Sequence, residues 1–422
     1  MRCATVMHRF TSALVAALLV ALVVPVAPAS GAELPTDYTQ QKLTAPDMAK
    51  FARLGAAVAV WGDTAVVGAP DDDELGVEAG SAYVYVRRGG AWAFVQKLTA
   101  ASGAAYNHFG RSVAIHADTI VVGASGYKDS AGAAHVFTRD AAGVWGERER
   151  IRAGTLGIDD RFGYSVAVDG GTILVGAVGD DELADSAGAV YVFTGGGDTW
   201  TEGPKLMADD AVASAIFGSS VALDGGTALI AAEEDDVARG AVYVFTGSGS
   251  TWSQRAKLTP DDTSSFDYFG SSVALDRGTA LVGARNDDTA RGAAYVFTGS
   301  GASWTQRKKL VASDRMVMAY FGRSVALSGG AALVGAYGYD TNTGRAYVFT
   351  GNGGTWTERT WLAASDAATN DQFGRAVALS GGNGVIGAPQ DTTGEFTIAG
   401  SAYFHAFSTQ FTPGTTRIAG SN

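Results

Sequence analysis

The chain has 422 residues, a formal net charge of −12 and a single cysteine, Cys3. The negative charge argues against nucleic-acid binding, which needs a basic surface with stacking aromatic side chains. A chain of this length exceeds a usual single-core domain. It therefore contains either several domains or a repeat.

Residues 1–32 have the pattern of a secretory signal peptide. Arg2 and Arg9 precede an unbroken apolar run from Ala13 to Val24, and small residues follow at Ala27 and Ala29. A retained membrane anchor is the alternative, but the run is shorter than the roughly 20 residues that span a bilayer. We expect a secreted, extracellular protein, with the periplasm or cell surface also open. Signal cleavage would remove Cys3 and leave no membrane insertion.

Residues 269–310 define the repeat. Apolar residues in this stretch recur with a period of two, which predicts four short strands, SSVAL, TALVGA, AAYVF and WTQRKKL. Turns and loops separate the strands, and no part of the stretch is predicted to be helical. A tight link at residues 276–278 joins the first two strands, and a Gly/Ser turn joins the last two. One such sheet cannot bury both faces, so it needs similar sheets stacked against it.

A Phe-Gly pair marks each copy of the repeat at intervals of 52 to 55 residues. A degenerate copy stands at Leu54 and Gly55, which makes seven copies. The phenylalanines are Phe109, Phe162, Phe217, Phe269, Phe321 and Phe373.

The two ends of the chain have matching deficits. Residues 38–45, YTQQKLTA, read as a fourth strand with no partners before them, whereas the last copy, residues 373–407, has three strands and lacks the fourth. The N-terminal strand should complete the last sheet and close a ring without exposed edges. The fold class is therefore all-β, a seven-bladed β-propeller of four-stranded antiparallel blades.

A tryptophan opens the fourth strand of six copies, six residues before an aliphatic residue. We predict that it packs between sheets, and a stacking platform for sugars is the alternative. The tryptophans are Trp92, Trp145, Trp200, Trp252, Trp304 and Trp356.

The repeat resembles the FG-GAP repeat of integrin alpha-subunit propellers and of bacterial secreted proteins. Phe-Gly recurs as described, and Gly-Ala-Pro stands at residues 68–70 and 387–389. We expect the phenylalanine to wedge between sheets and the glycines to allow tight turns and close backbone approach. The resemblance covers about residues 38–408 and implies a propeller. We expect the propeller domain to span residues 33–408 and residues 409–422 to form a C-terminal tail.

The calcium loop of integrin-type repeats is absent. In the family an Asp-rich loop joins the first two strands, because calcium needs six to eight converging oxygens. Here the link is only residues 224–227 in one copy and 328–331 in another, with one carboxylate at most. No cofactor is therefore assigned, although weak calcium binding by other acidic loops remains open.

Most acidic residues fall in loops that should share one face. In an up-and-down blade, the loop after the second strand and the loop after the fourth emerge together. Turn chemistry and solubility explain such aspartates, and a face that binds cations or a basic partner is the sharper hypothesis. The candidate binding residues are Asp71, Asp72, Asp73, Glu74, Asp180, Asp181, Glu182, Asp235, Asp236, Asp287 and Asp288.

The second copy breaks this acidic pattern. Its loops carry His108, Tyr127 and Lys128 where other copies are mostly acidic. A site distinct from six similar copies must depart from their consensus, so this is a candidate asymmetric patch. Ordinary drift between repeats explains it equally well.

No pattern in the sequence indicates catalysis. His135 and His405 stand in strands and are interpreted as packing residues, and no histidine pair has zinc-ligand spacing. The sequence also lacks a G-x-S-x-G elbow and a phosphate loop. We therefore predict a monomeric, non-enzymatic module that binds or adheres to extracellular glycans or proteins. The alternative is a polysaccharide hydrolase or lyase using loop carboxylates.

Overall fold

The computed structural model describes residues 38–47, 49–392 and 398–407. The predicted signal peptide and C-terminal tail lie outside these residues. The described chain forms seven four-stranded sheets, each antiparallel throughout. We number them as blades 1 to 7 in chain order.

The strands are short and their bounds repeat from blade to blade. Blades 1 and 2 contain β2 (Ala57–Trp61), β3 (Thr64–Ala69), β4 (Ser81–Arg88), β5 (Ala91–Leu98), β6 (Phe109–His116), β7 (Thr119–Ala124), β8 (Ala133–Arg139) and β9 (Trp145–Ile151). Blades 3 and 4 contain β10 (Phe162–Asp169), β11 (Thr172–Ala177), β12 (Ala189–Gly196), β13 (Thr199–Leu206), β14 (Val221–Asp224), β15 (Thr227–Ala232), β16 (Ala241–Ser248) and β17 (Thr251–Leu258). Blades 5 and 6 contain β18 (Phe269–Asp276), β19 (Thr279–Ala284), β20 (Ala293–Ser300), β21 (Ser303–Leu310), β22 (Ser324–Ser328), β23 (Ala331–Ala336), β24 (Arg345–Thr350) and β25 (Thr357–Leu362). Blade 7 contains β26 (Ala376–Ser380), β27 (Asn383–Ala388), β28 (Ser401–Phe407) and β1 (Tyr38–Leu43).

The predicted ring closure is confirmed. β1 pairs antiparallel with β28, with Tyr38 opposite Phe407 and Leu43 opposite Ala402. Hydrogen bonds along this pair satisfy an edge that β28 would otherwise expose. The fold is therefore a closed seven-bladed β-propeller.

The hydrophobic core lies between neighbouring blades. Phe109, at the start of blade 2, is fully buried and packs with Val66 and Val84 of blade 1 and Ile120 of blade 2. Trp92 is only 4% exposed in the cluster that joins blades 7 and 1. The phenylalanine wedge and the packing role of the tryptophans are thus confirmed.

The Phe-Gly and Gly-Ala glycines allow close backbone approach between blades. A Cβ on Gly110, whose φ is +93°, would lie 2.2 Å from the Ser81 carbonyl oxygen. A Cβ on Gly68 would lie 2.1 Å from the Gly110 carbonyl oxygen. No side chain fits at these contacts, so both glycines are required by the junction.

The links between the first two strands are tight hairpins that bond to the next blade. The Asp169 carboxylate accepts a hydrogen bond from Gly225 N–H at 2.8 Å, and Asp224 accepts one from Arg277 N–H at 2.6 Å. His116 Nδ1 accepts from Gly170 N–H at 3.0 Å in the same way. The aspartates at the family's calcium position therefore connect neighbouring blades.

The expectation that the repeat contains no helical turns is wrong in four loops. One-turn helices occur at α1 (Tyr127–Ser130), α2 (Asp235–Ala238), α3 (Asp287–Ala290) and α4 (Tyr339–Asn342). They contain residues in the left-handed region, such as Asp288 at φ 50° and Thr289 at φ 62°. Strand periodicity in the flanking segments gives no signal for such a turn.

Candidate functional site

The loops after the second and fourth strands of every blade emerge at one end of the ring, which we call the loop face. The two sets of loops contact each other across blade junctions. For example, Phe109 N–H donates to the Ala79 carbonyl at 3.0 Å, and His108 N–H donates to the Glu78 carbonyl at 3.0 Å. The loop face is therefore held to the blades by backbone hydrogen bonds.

A buried aspartate in each of five loops anchors the loop to its own blade. In blade 1, the Asp72 carboxylate accepts hydrogen bonds from Tyr83 Oη at 2.9 Å and Ser81 Oγ at 2.8 Å, and it pairs with Lys97 Nζ at 3.0 Å. Corresponding lysine pairs occur in blades 3, 4, 5 and 7. The five aspartates are Asp72, Asp180, Asp235, Asp287 and Asp391.

Both the carboxylate and the ammonium group of this network are stabilised in their charged forms. Although burial opposes the shift, the backbone N–H of Glu74 and the Lys97 ammonium lower the pKa of the Asp72 carboxyl. Burial also opposes the shift at Lys97, yet hydrogen bonds to Asp47 and Glu74 raise its pKa. Burial raises the pKa of the Tyr83 hydroxyl. These side chains are engaged with one another, which supports the turn-chemistry interpretation for the recurring aspartate.

The other predicted acidic residues lie in local contacts within separate blades. Some bond to lysine or arginine of the same face: Asp71 with Arg53, Glu74 with Lys97, Glu182 with Lys205, Asp236 with Arg239, and Asp288 with Arg291 and Arg315. Asp73 accepts a hydrogen bond from Glu78 N–H, and Asp181 is exposed. The structure does not bring these acidic clusters together at one point.

The asymmetric patch of blade 2 divides into separate parts. Tyr127 occupies the position of the buried aspartate, and the guanidinium groups of Arg150 and Arg152 lie 4.9 and 5.5 Å from its ring. A cation–π contact therefore replaces the aspartate–lysine pair. Lys128 is exposed beside this ring, 5.7 Å from its centroid.

His108 lies in a different group from Tyr127 and Lys128. Potential ligand atoms of Asp71, Glu78 and His108 lie within 4.8 Å of one another, so these side chains could hold a metal ion. Asp71 already pairs with Arg53 at 3.1 Å. The charge of one of the two carboxylates in this group is therefore already compensated by Arg53.

The centre of the loop face opens into a cavity of about 730 Å³ at the ring axis. The residue that follows each Phe-Gly pair is Ala56, Arg111, Tyr164, Ser219, Ser271, Arg323 or Arg375, in blade order, and each of these residues lines the cavity. Arg111, Arg323 and Arg375 form what we call the arginine mouth. Sequence analysis missed this site, although arginine after Phe-Gly in three copies was a readable signal.

Exposed apolar side chains are frequent in the loops of the same face. Of the 16 large hydrophobic residues that are exposed in the described chain, 12 lie in loops of this face, so the apolar exposure is concentrated there. These 12 are Phe51, Leu75, Val77, Tyr106, Ile158, Leu183, Val212, Val237, Phe266, Met316, Val317 and Met318.

Four of these residues hold the same strained position. Phe51, Tyr106, Phe266 and Met318 each stand three residues before the Phe-Gly position, with φ between 62° and 70°. Non-glycine residues with positive φ are uncommon, and bulky side chains adopt this region at a cost. The backbone thus projects large apolar side chains at the tips of four equivalent loops.

The fold and the loop face together define a β-propeller of the binding type, in which function lies in loops on a rigid ring. The FG-GAP repeat family matches residues 38–85, 92–137, 145–193, 200–245, 252–297, 304–349 and 356–405. The chain belongs to this family, whose propeller is typically a non-enzymatic repeat fold.

Comparison with individual proteins adds little to the family assignment. No curated protein matches the chain. The crystal structure of Sqt1 from Saccharomyces cerevisiae is similar over 83% of this chain and 82% of that chain, with a TM-score of 0.43 and 11% sequence identity. Within the described residues, no helix is long and apolar enough to cross a membrane.

Proposed function

We propose that this protein is a non-enzymatic binding module that engages a protein or glycan outside the cell or at its surface, through the loop face. The concentration of exposed apolar side chains in the loops of this face carries this proposal. Large exposed apolar areas rimmed by polar residues are typical of interaction sites. Aromatic residues, methionine and arginine are the types enriched in protein interfaces.

The side chains at the loop tips support the same proposal. Phe266 is 58% exposed at a φ of 70°, and Tyr106 is 57% exposed at a φ of 63°. The backbone N–H of Tyr106 donates to the Val77 carbonyl at 2.7 Å and that of Phe266 donates to the Val237 carbonyl at 3.2 Å, so hydrogen bonds fix the turn while both side chains remain in solvent. Asp159, Ser214 and Asn370 hold the same positive φ in the other three copies, so the conformation belongs to the shared turn. The large apolar residues are the feature specific to these positions, and we assign their exposed side chains to partner contact.

A protein partner is favoured by the aliphatic members of this set of exposed side chains. Ile158 is 74% exposed and Val237 is 62% exposed, and branched aliphatic side chains do not stack on sugar rings. Phe51, Tyr106 and Phe266 are the side chains that would stack on a glycan, which keeps the glycan as second candidate.

The carbohydrate-active alternative needs a pair of carboxylates, one of them with a raised pKa. Burial raises the pKa of Asp371 to about 6, but this carboxylate accepts the Ala368 N–H at 2.6 Å inside its own loop. Asp267 accepts Ser264 N–H at 2.6 Å in the same way. These carboxylates shape loops, so the geometry favours binding over hydrolysis.

The proposal is tested by screening the chain from residue 33 to 422 against arrays of secreted proteins and glycans, with product detection in parallel. We expect retention of an unchanged partner, and loss of retention in a Tyr106→Ser, Phe266→Ser double variant. A Phe94→Ser variant is the control, because Phe94 is also exposed but lies on the outer strand β5. Release of reducing ends or unsaturated sugars, or equal retention by the double variant, would contradict the proposal.

A further inference from the structure

The charge of the central cavity is opposite to that of the whole protein. Five arginines and two carboxylates line the cavity: Arg53, Arg111, Arg161, Arg323, Arg375, Asp71 and Glu233. With His108 neutral, the lining carries a net charge of +3, whereas the chain carries −12. A low-dielectric cleft lined by one sign of charge focuses the electrostatic potential at its mouth.

The two carboxylates of the lining are already paired. Asp71 bonds to Arg53 at 3.1 Å, and Glu233 bonds to Arg285. Among the residues that the structure describes, no carboxylate forms an ion pair with Arg111, Arg323 or Arg375. The arginine mouth therefore has no directly bonded carboxylate within the described chain, and Glu233, whose charge acts on Arg323, is already bonded to Arg285.

The arginines of the mouth are close enough to repel one another. Arg323 and Arg375 are half-buried and follow Phe-Gly in the adjacent blades 6 and 7. The charge of Arg323, and then burial, lowers the pKa of the Arg375 guanidinium, and burial likewise lowers that of Arg323. Both groups remain charged at neutral pH. An arrangement of like charges without a directly bonded carboxylate favours binding of an anion.

The remaining contacts hold the guanidinium groups in place without neutralising them. The Arg111 guanidinium lies 5.1 Å from the centroid of the Tyr164 ring, and that of Arg375 lies 5.0 Å from Tyr337. Arg323 donates a hydrogen bond to the Ser271 carbonyl at 3.4 Å. Each guanidinium has five N–H donors in a planar fork, so several donors of each group remain for a ligand.

The geometry points to a binding site for a multivalent oxyanion in the arginine mouth, taking carboxylate, sulfate or phosphate groups of a ligand small enough for the 730 Å³ cavity. Guanidinium groups recognise these oxyanions through paired, charge-assisted hydrogen bonds. The volume lies within the ordinary range of small-molecule sites. This inference deepens the proposed function, because it names the chemistry at the centre of the same face.

The test is isothermal titration of the full mature chain with sulfate, inorganic phosphate, citrate and digalacturonate, each at an ionic strength held constant with sodium chloride. The four probes distinguish free inorganic anions from carboxylates and from acidic sugars. We expect saturable binding of at least one probe. Arg375→Gln and Arg323→Gln should each weaken it by roughly tenfold or more, since each removes a charge-assisted bond.

Arg307→Gln is the matched control, because Arg307 lies on the outer strand β21, away from the cavity lining, and its guanidinium donates to the Thr298 hydroxyl. This variant should bind as the wild type does. Without anion, Arg375→Gln should melt at the same or a higher temperature than the wild type, because it relieves repulsion from Arg323. A purely structural role for Arg375 would lower the melting temperature instead.

The outcomes separate this inference from the proposed function. No saturable binding of any probe, or equal binding by Arg375→Gln and Arg323→Gln, would overturn the anion site. A partner that is retained by wild type and arginine variants alike would leave the binding module standing and remove the anion site. Saturable anion binding without any retained partner on the arrays would support the anion site and contradict the proposed binding module.

Discussion

Replacing Gln41 tests the closure of the ring by a pair of hydrogen bonds. Gln41 Nε2 donates to the Trp92 carbonyl at 2.7 Å, and Trp92 N–H donates to Gln41 Oε1 at 2.8 Å. These bonds join blade 7 to blade 1. Gln96 makes the same pair with Trp145 between blades 1 and 2, at 2.6 and 2.9 Å. The chain therefore contains its own matched control.

The expected cost of Gln41→Leu is about 2 to 6 kcal/mol, because two buried backbone groups lose their partners and each unsatisfied group costs about 1 to 3 kcal/mol. Gln41→Glu keeps an acceptor for the Trp92 N–H, as Glu149 does for Trp200 N–H at 2.8 Å. It loses only the donor to the Trp92 carbonyl, so we expect a cost of about 1 to 3 kcal/mol.

The assay is urea unfolding followed by tryptophan fluorescence, with free energies from linear extrapolation. In a closed ring the two junctions are equivalent, so Gln41→Leu and Gln96→Leu should lower the free energy of unfolding by similar amounts. A near-zero cost at Gln41 together with a large cost at Gln96 would show that the ring is open in solution and would refute the closure.

Four further substitutions test the core and the pH dependence. Phe162→Ala should cost about 3 to 5 kcal/mol because the ring is fully buried, whereas the exposed Phe266→Ala should cost under about 0.5 kcal/mol, both measured by urea unfolding. Burial lowers the pKa of His405 to about 3, so the unfolded chain binds this proton more tightly and wild-type stability should fall as pH drops below about 6.5. His405→Phe should remove this contribution of His405 to the loss of melting temperature at low pH, as measured in melting scans. Burial raises the pKa of Asp371 to about 6, so its contribution is present below about pH 4 and is lost as pH rises through 6. Asp371→Asn should therefore gain melting temperature relative to wild type between pH 4.5 and 7.5, and a constant difference would contradict this.

The sequence predicted the fold well because the repeat phase constrains every element at once. Seven copies of one pattern specify the strand order, and the matching deficits at the two ends specify the pairing of β1 with β28. The glycines at Gly68 and Gly110 could be explained in advance, since only close backbone approach requires them. None of these inferences depended on which side chains meet across a blade.

The site could be predicted only in part because its electrostatics depend on contacts between distant positions. Asp72 reads as an exposed loop acid, but Lys97 neutralises it from a strand 25 residues away. The arginine mouth contains Arg111, Arg323 and Arg375, which come from three different blades. In the sequence, each of them is a single basic residue after a Phe-Gly pair and indicates no site by itself. Only the ring geometry brings them to one cavity.

The most direct test of the account is a crystal structure of the mature protein soaked in selenate, with anomalous data at the selenium edge. The account predicts a peak in the central cavity, with selenate oxygens roughly 3 Å from the guanidinium nitrogens of Arg323 and Arg375, and no such peak in the Arg375→Gln variant. Peaks only on the outer surface, or an unchanged central peak in the variant, would contradict it.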